Sequence, residues 1–219
     1  MTIPDSLVSI GACDITAVVS NAPYFQNGYV VRHRPSGEMV IIDPGAESAR
    51  FVTYVETAGG TLQAIWLTHA HPDHIAGVNG IQLALDVPCR VNVGEEALVA
   101  RASDWSMALT GTSLAGPREC DYFDGEPDLI FGGTPVKTVP CPGHTPGGVT
   151  FAFEGFAFTG DTLFNQGVGR TDFPGGDARQ LWQSIGNLLD VLPGDTVLFS
   201  GHGPHWTVDE ARHWWRMVS

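Results

Sequence analysis

The 219 residues are 43% hydrophobic and 16% charged. This excludes a disordered chain and supplies material for one sizeable core, so residues 1–219 are expected to form a single domain. With 24 acidic and 11 basic residues the formal net charge is −13, which argues against nucleic acid as a partner, and no apolar run approaches the roughly 18 residues of a spanning helix, which argues against a membrane.

In chain order, Met1 to Ile10 carries an acidic residue and no basic cluster ahead of an apolar run, which is not the pattern of an export signal. The four cysteines, Cys13, Cys89, Cys120 and Cys141, form no CxxC pair. Together these features lead to the expectation of a cytoplasmic protein with reduced thiols. Short β-type runs follow at residues 15–19, 28–32 and 39–42. Ser36-Gly37 marks a hairpin between the last two, and Asp43-Pro44-Gly45 a stop. Residues 48–58 place Phe51, Val52 and Val55 on one helical face, ended by Gly59-Gly60. Residues 64–68 form a short apolar strand. Residues 75–85 read as one helix on the spacing of Ile75, Val78, Ile81 and Leu85.

Residues 89–93 then read as a strand and 95–102 as a helix. Residues 103–127 show only weak periodicity and are expected to form a lid or substrate loop. Residues 134–139, 149–153 and 156–159 are strands, the last two joined by a turn at Glu154-Gly155. After the Gly-rich stretch 165–176, Asp177 and Gln180 resemble a helix cap. The helix they open buries Leu181, Ile185, Leu188 and Leu189. A strand at 196–200 and a capping box at Thr207 and Glu210 complete the chain. Strands in two groups, each followed by helices, favour two packed sheets with helices outside.

Chemistry concentrates at the end of the 64–68 strand, in His69-Ala70-His71-Pro72-Asp73-His74. His69 and His71 are two apart, so an extended segment points them to one side, and Pro72 turns the chain before Asp73 and His74. One loop can thus offer one pair of ligands to one ion and a second pair to its neighbour. Imidazole and carboxylate without thiolate suit zinc first, and also iron or manganese. His144, Asp161 and His202 each follow a predicted strand and stand next to, or one residue from, glycine, where α/β proteins collect their chemistry. A carboxylate such as Asp161 can bridge two ions. His33, His205 and His213 lack matched partners and read as ordinary histidines.

On this pattern, HxHxDH followed by a distant His, Asp and His, the chain resembles the metallo-β-lactamase superfamily from about Ile15 to His202. The resemblance implies an α/β fold, a four-layer αββα sandwich with two metal ions at one edge. It implies one ion held by His69, His71, His144 and Asp161, and the other by Asp73, His74, His202 and Asp161. Asp43, in Ile-Asp-Pro-Gly, matches a family position that supports the ligands.

Within the superfamily, Asp161 stands where classical zinc β-lactamases carry a cysteine, which sets a β-lactamase-like hydrolase third among the readings. Cys141–Gly147 (Cys-Pro-Gly-His-Thr-Pro-Gly) and Gly169–Asp177 (Gly-Arg-Thr-Asp-Phe-Pro-Gly-Gly-Asp) resemble short bacterial glyoxalase II-like enzymes. That branch hydrolyses glutathione thioesters such as S-lactoylglutathione. Arg170 falls where the full-length enzymes hold the glutathione part, a role a guanidinium suits, although it can also pair with Asp172. The resemblance implies Asp73 as the catalytic residue that orients the attacking hydroxide, and a small-molecule thioester as the partner. Only residues 203–219 follow His202, so weak dependence on the glutathione part is expected. Persulfide dioxygenases also carry Gly-Arg-Thr-Asp-Phe and use a single iron, for which His69, His144 and Asp161 would be the ligands. The Gly201-His202-Gly203-Pro204 ending favours the hydrolase. A non-enzymatic metal-binding module is disfavoured by the complete ligand set, and the sequence leaves the oligomeric state open.

Overall fold

In the computed structural model, which describes residues 6–219, Asn27–Val31 and Met39–Ile42 are buried without alternation. Unbroken burial means that both faces of the strands are covered. Seven strands lie in sequence order in the first sheet: β1 (Ser6–Ile10), β2 (Cys13–Val19), β3 (Asn27–His33), β4 (Glu38–Ile42), β5 (Thr61–Trp66), β6 (Cys89–Asn92) and β7 (Asp121–Phe123). The first four pair antiparallel and β4 to β7 parallel. The second sheet uses β8 (Leu129–Phe131), β9 (Thr134–Pro140), β10 (Val149–Phe153), β11 (Phe156–Gly160), β14 (Val197–Ser200) and β15 (Trp206–Thr207), ordered β15-β14-β11-β10-β9-β8. A small hairpin, β12 (Leu163–Phe164) with β13 (Gly167–Val168), stands apart.

The two faces of each sheet sort the apolar residues into three cores. Between the sheets, Tyr29, Val31, Val40, Ile42 and Trp66 meet Phe151, Phe156, Phe158 and Phe199. Their alternates Val30, Met39, Ile41 and Ile65 turn outward onto α1 (Ser48–Ala58) and α3 (Val78–Leu85), against Phe51, Val55, Val78 and Ile81. Ala152, Ala157 and Leu198 of the second sheet cover themselves with α6 (Ala178–Val191) and α7 (Val208–Val218), through Leu181, Ile185, Leu188 and Ala211. The result is the four-layer αββα sandwich, each sheet face matched to its cover by the period-2 direction of strand side chains.

Helix α1 spans residues 48–58, as its spacing predicts. Asp177 caps α6 through its Oδ1, which accepts from the Gln180 N–H at 2.9 Å, and Thr207 with Glu210 forms a capping box on α7. The single helix expected over 75–85 is instead broken into α2 (Pro72–Ile75) and α3. The reason is at Gly77, whose N–H donates to the Gly45 carbonyl and where a Cβ would sit 2.7 Å from that oxygen. Helical spacing registers the buried face and not this backbone contact. The helix expected over 95–102 is a 3-10 turn at Val93–Glu95, then α4 (Glu96–Ala100) and the start of α5 (Ala102–Thr110). Residues 103–127 are therefore not one loop, since they hold most of α5 and the edge strand β7. Residues 1–5, where the expectation about an export signal begins, lie outside the described residues. No helix among the described residues is long and apolar enough to cross a membrane.

Two sets of hydrogen bonds fasten the sheets together where the site lies. The Tyr29 hydroxyl and Asn27 Nδ2 both donate to the Ser200 carbonyl, at 2.7 and 3.1 Å, and the Val149 N–H donates to the Thr68 carbonyl at 2.9 Å. The C-terminal ends of β4, β5, β9, β11 and β14 consequently open onto one edge.

Candidate metal centre

All seven expected ligands converge at that edge. His69, His71 and His144 form one group of donor atoms within 4.8 Å of one another, and Asp73, His74, Asp161 and His202 form a second. Asp161 joins them: one of its oxygens, Oδ1, is 3.2 Å from His74 Nε2, while Oδ2 is 3.6 Å from His202 Nε2 and 3.7 Å from His144 Nε2. Asp73 Oδ2 lies 3.2 Å from His202 Nε2 and 3.7 Å from His74 Nε2.

Outer contacts settle which ring atom His69, His74 and His144 turn inward. His74 Nδ1 donates to Asp43 Oδ2 at 2.9 Å, so its Nε2 faces the centre. The Thr68 hydroxyl gives its proton to Asp43 Oδ2 and accepts from His69 Nδ1 at 3.1 Å, which leaves His69 Nε2 as the free lone pair. His144 Nδ1 donates to the Arg170 carbonyl at 2.7 Å, and its Nε2 meets His71 Nδ1 at 2.8 Å. Such partners set tautomer and orientation where imidazole serves a cation. Asp43 also lies within ligand range of His69 and His74. Its oxygens, however, already accept from the Thr68 N–H, the Thr68 hydroxyl and His74, so its place is behind the ligands.

The donors fit a metal on three grounds. His69 Nε2, His71 Nε2, His74 Nε2 and Asp161 Oδ1 are buried with no hydrogen-bond partner among the described residues, a costly state that a cation removes for those turned inward. Glycines hold the space open: a Cβ on Gly201 would strike Asp161 Oδ1, and one on Gly169 would strike the Asp161 carbonyl and crowd His144. The donor set, imidazole and carboxylate, is also that of zinc, iron and manganese sites.

Electrostatics divide the two groups. Burial, helped by the neighbouring imidazoles, holds His69 well below the usual histidine range and brings His71 down to about 3, so both are neutral with lone pairs available. Burial opposes the charge on His74 too, but Asp161, Asp73 and Asp43 outweigh it and hold that ring well above the usual range. Burial would likewise raise Asp161, yet His74, His144 and His202 keep it ionised.

Several residues of the site were not legible as such. Glu95 is fully buried, its Oε2 accepting from the Ala70 N–H and its Oε1 from the Gly147 N–H, both at 2.7 Å. It ties the His69–His74 loop to the His144 loop. Trp105 of α5 stacks on the His71 ring at 5.6 Å and 21°, and Phe173 meets both edge-on. Arg170 lies 3.8 Å over the Phe173 ring and makes a bidentate pair with Asp172, both bonds 2.7 Å. Its guanidinium is exposed beside the ligands, so it borders the site while pairing with Asp172. Helical spacing gave α5 no visible tie to the site, and a glutamate inside a helical run carries no sign of burial. His33 and His205 stand away from the cluster, against Ser36 and Phe199, and His213 lies in a groove of α7 with Trp206 and Trp214.

Comparison with known proteins agrees with this geometry. The family model described as the metallo-beta-lactamase superfamily matches residues 21–202. Probable metallo-hydrolase YqgX of Bacillus subtilis is 35% identical over 78% of this chain and 82% of its own. The human "Persulfide dioxygenase ETHE1, mitochondrial" is 34% identical over 84% of this chain and 68% of its own. Among solved structures, BLEG-1 B3 metallo-beta-lactamase superposes with a TM-score of 0.83 at 33% identity, over 91% of this chain and 96% of that one. TTHA1623 in a di-iron-bound form gives 0.80 at 32%, over 91% and 98%. Fold, motif and match agree that the chain belongs to the metallo-β-lactamase superfamily.

Proposed function

We propose that the chain is a metal-dependent hydrolase of small thioesters of the hydroxyacylglutathione type, working with two metal ions, zinc in the first place and iron or manganese as alternatives. One observation carries the reading: two separate groups of inward-facing donors share Asp161. His69, His71, His144 and Asp161 would hold one ion, and Asp73, His74, His202 and Asp161 the other. Bound there, the ions would supply an acidified water and a Lewis acid for a carbonyl oxygen.

The chain's own residues do the rest. Asp73, half-buried and held as a carboxylate against its burial by His74 and His202, would orient the attacking water and take its proton. The leaving thiolate needs no dedicated acid, since a free thiol has a pKa of about 8.5. Trp105 and Phe173 form an apolar wall beside His71 that excludes water and packs the acyl or thiol portion. Arg170 beyond it would hold a carboxylate of the substrate by exchanging Asp172, its present partner, for it. The chain acts as a single domain in the cytoplasm, with neither nucleic acid nor membrane as a partner.

A second reading, a persulfide dioxygenase with one iron on His69, His144 and Asp161, is supported by the ETHE1 relatives and the shared Gly169–Phe173 run. One preparation, reconstituted separately with zinc and with iron, decides between them. Thioester is offered under nitrogen, glutathione persulfide in an oxygen electrode, and a β-lactam in parallel because of the likeness to BLEG-1. Thioester cleavage without oxygen uptake is the expected result. Oxygen uptake by the iron form alone, with no thioester cleavage by either form, overturns the hydrolase, and turnover of the β-lactam alone moves the substrate class.

A further inference from the structure

Two cysteines that the metal chemistry does not use face each other at the far side of the first sheet. Cys89 opens β6, and Cys120 immediately precedes β7. The parallel register pairs Arg90 with Asp121, Val91 with Tyr122 and Asn92 with Phe123. One step back, that register sets Cys89 beside Cys120. Both side chains belong to the outward core beneath α3, Cys89 inside it and Cys120 packed against it. Adjacent strands run about 4.8 Å apart, inside the roughly 4.4–6.8 Å between Cα atoms that a disulfide spans. Both are free thiols in the structure.

The pair is reachable and unequal. Cys89 is buried, but it lines a cavity of about 340 Å³ with Gln82, Pro88, Arg118 and Asp121. Cys120 is only half-buried and lies on the edge strand's approach. The neighbouring Cys89 thiol, with a smaller contribution from Tyr122, brings the Cys120 thiol below its ordinary value despite burial and Asp121. The neighbouring Cys120 thiol, and after it burial, push Cys89 up. A partly exposed thiol of lowered pKa beside a buried one of raised pKa is the arrangement of an attacking and a resolving cysteine.

We propose that Cys89 and Cys120 form a redox-responsive dithiol that closes to a disulfide by exchange with small-molecule disulfides. The Cys120 thiolate attacks one sulfur of the small disulfide, forming a mixed disulfide and releasing one thiolate. Cys89 then gives up its proton to solvent and attacks the Cys120 sulfur, releasing the second thiolate. Two protein thiols are oxidised and one small disulfide is reduced to two thiols, so the electrons balance. The new bond ties the segment between α5 and β7 to the sheet. That segment is already held on α3 by Gln82, which takes the Arg118 N–H and donates to the Glu119 carbonyl.

The test uses the intact folded protein and hydroxyethyl disulfide, a neutral probe chosen because of the chain's negative charge. The expected result is a native mass lower by two hydrogens, a peptide joining Cys89 to Cys120, and Cys13 and Cys141 still open to alkylation after unfolding. Cys89→Ala should stop at a stable mixed disulfide on Cys120, and Cys120→Ser should lose the reaction. An unchanged mass in the wild-type protein, a lasting mixed disulfide on Cys120, or modification confined to Cys13 would each overturn the proposal. None of these readouts depends on the metal or on hydrolysis.

Discussion

Glu95→Ala removes a buried side chain that grips both loops carrying the candidate ligands. The variant leaves the Ala70 and Gly147 N–H groups facing an apolar gap without their acceptor. A buried donor deprived of its partner costs about 1–3 kcal/mol, so the two together cost about 2–6 kcal/mol. Part is offset because a carboxylate no longer has to be buried, a burden visible in the upward push that burial exerts on Glu95. The net loss is a large share of the about 5–15 kcal/mol that holds a domain folded. Glu95→Gln is the milder partner: it keeps the shape and one oxygen, turns an amide donor against the other N–H, and should cost about 1–3 kcal/mol. Urea unfolding of the metal-free protein reads these losses. Competition with a chelator should show metal affinity falling about 10- to 100-fold, the usual effect of losing an outer support. If both variants unfold within about 0.5 kcal/mol of the wild type and hold metal equally well, Glu95 is not a brace and the reasoning fails.

Further outcomes follow from the same geometry. Asp161→Asn removes the charge common to both donor groups, so metal content and turnover should fall together by about two orders of magnitude or more, while His213→Ala changes neither. A fully loaded wild-type sample should carry more than one equivalent of metal by elemental analysis, and a ceiling of one equivalent removes the binuclear assignment. Asp43→Asn frees the His74 ring and should weaken metal about 10- to 100-fold in a chelator competition, with little change in KM at saturating metal. Trp105→Ala deletes the wall beside His71 and should raise KM about fivefold for about 1 kcal/mol of lost stacking, with kcat nearly unchanged. Arg170→Met should raise KM for thioesters that carry a carboxylate and leave neutral ones alone.

How far the sequence could be read depended on the kind of signal each feature leaves. Burial leaves periodicity, so α1 and the faces of α3 and α6 could be drawn from apolar spacing alone, down to Leu181, Ile185 and Leu188. Metal chemistry leaves composition at fixed spacing, and the seven candidate ligands do meet at one edge. Close backbone approach leaves only a glycine, so the break at Gly77 was invisible within a run that otherwise keeps helical period. Edge strands leave little, because one side carries no core: β1 pairs along its full length with β2 although its residues are mostly exposed. The least legible residues are those whose meaning depends on a distant partner. Glu95 reads as a solvated helical glutamate until the fold places Ala70 and Gly147 on either side of it.

The same distinction explains why the reaction is harder to read than the metal site. Hydrolysis and persulfide oxidation can both run on donors drawn from His69, His144 and Asp161, so the cluster alone does not choose between them. Under the proposed reading, what chooses is the surface a substrate would meet next, for which Trp105 and Phe173 against His71, with Arg170 over Phe173, are the candidates. Its parts come from α5 and from the Gly-rich stretch after β13, segments whose sequence carries little periodicity and whose placement rests on the braces behind them. His144 is held by the Arg170 carbonyl, so the backbone that presents the guanidinium is the same backbone that aims a metal-facing ring. A change in substrate preference at Arg170 is therefore free to occur through its side chain, whereas a change in the path of residues 169–170 would disturb His144 and Asp161 as well. Specificity in this chain is consequently expected to vary by side-chain replacement on a fixed loop, not by rebuilding the loop.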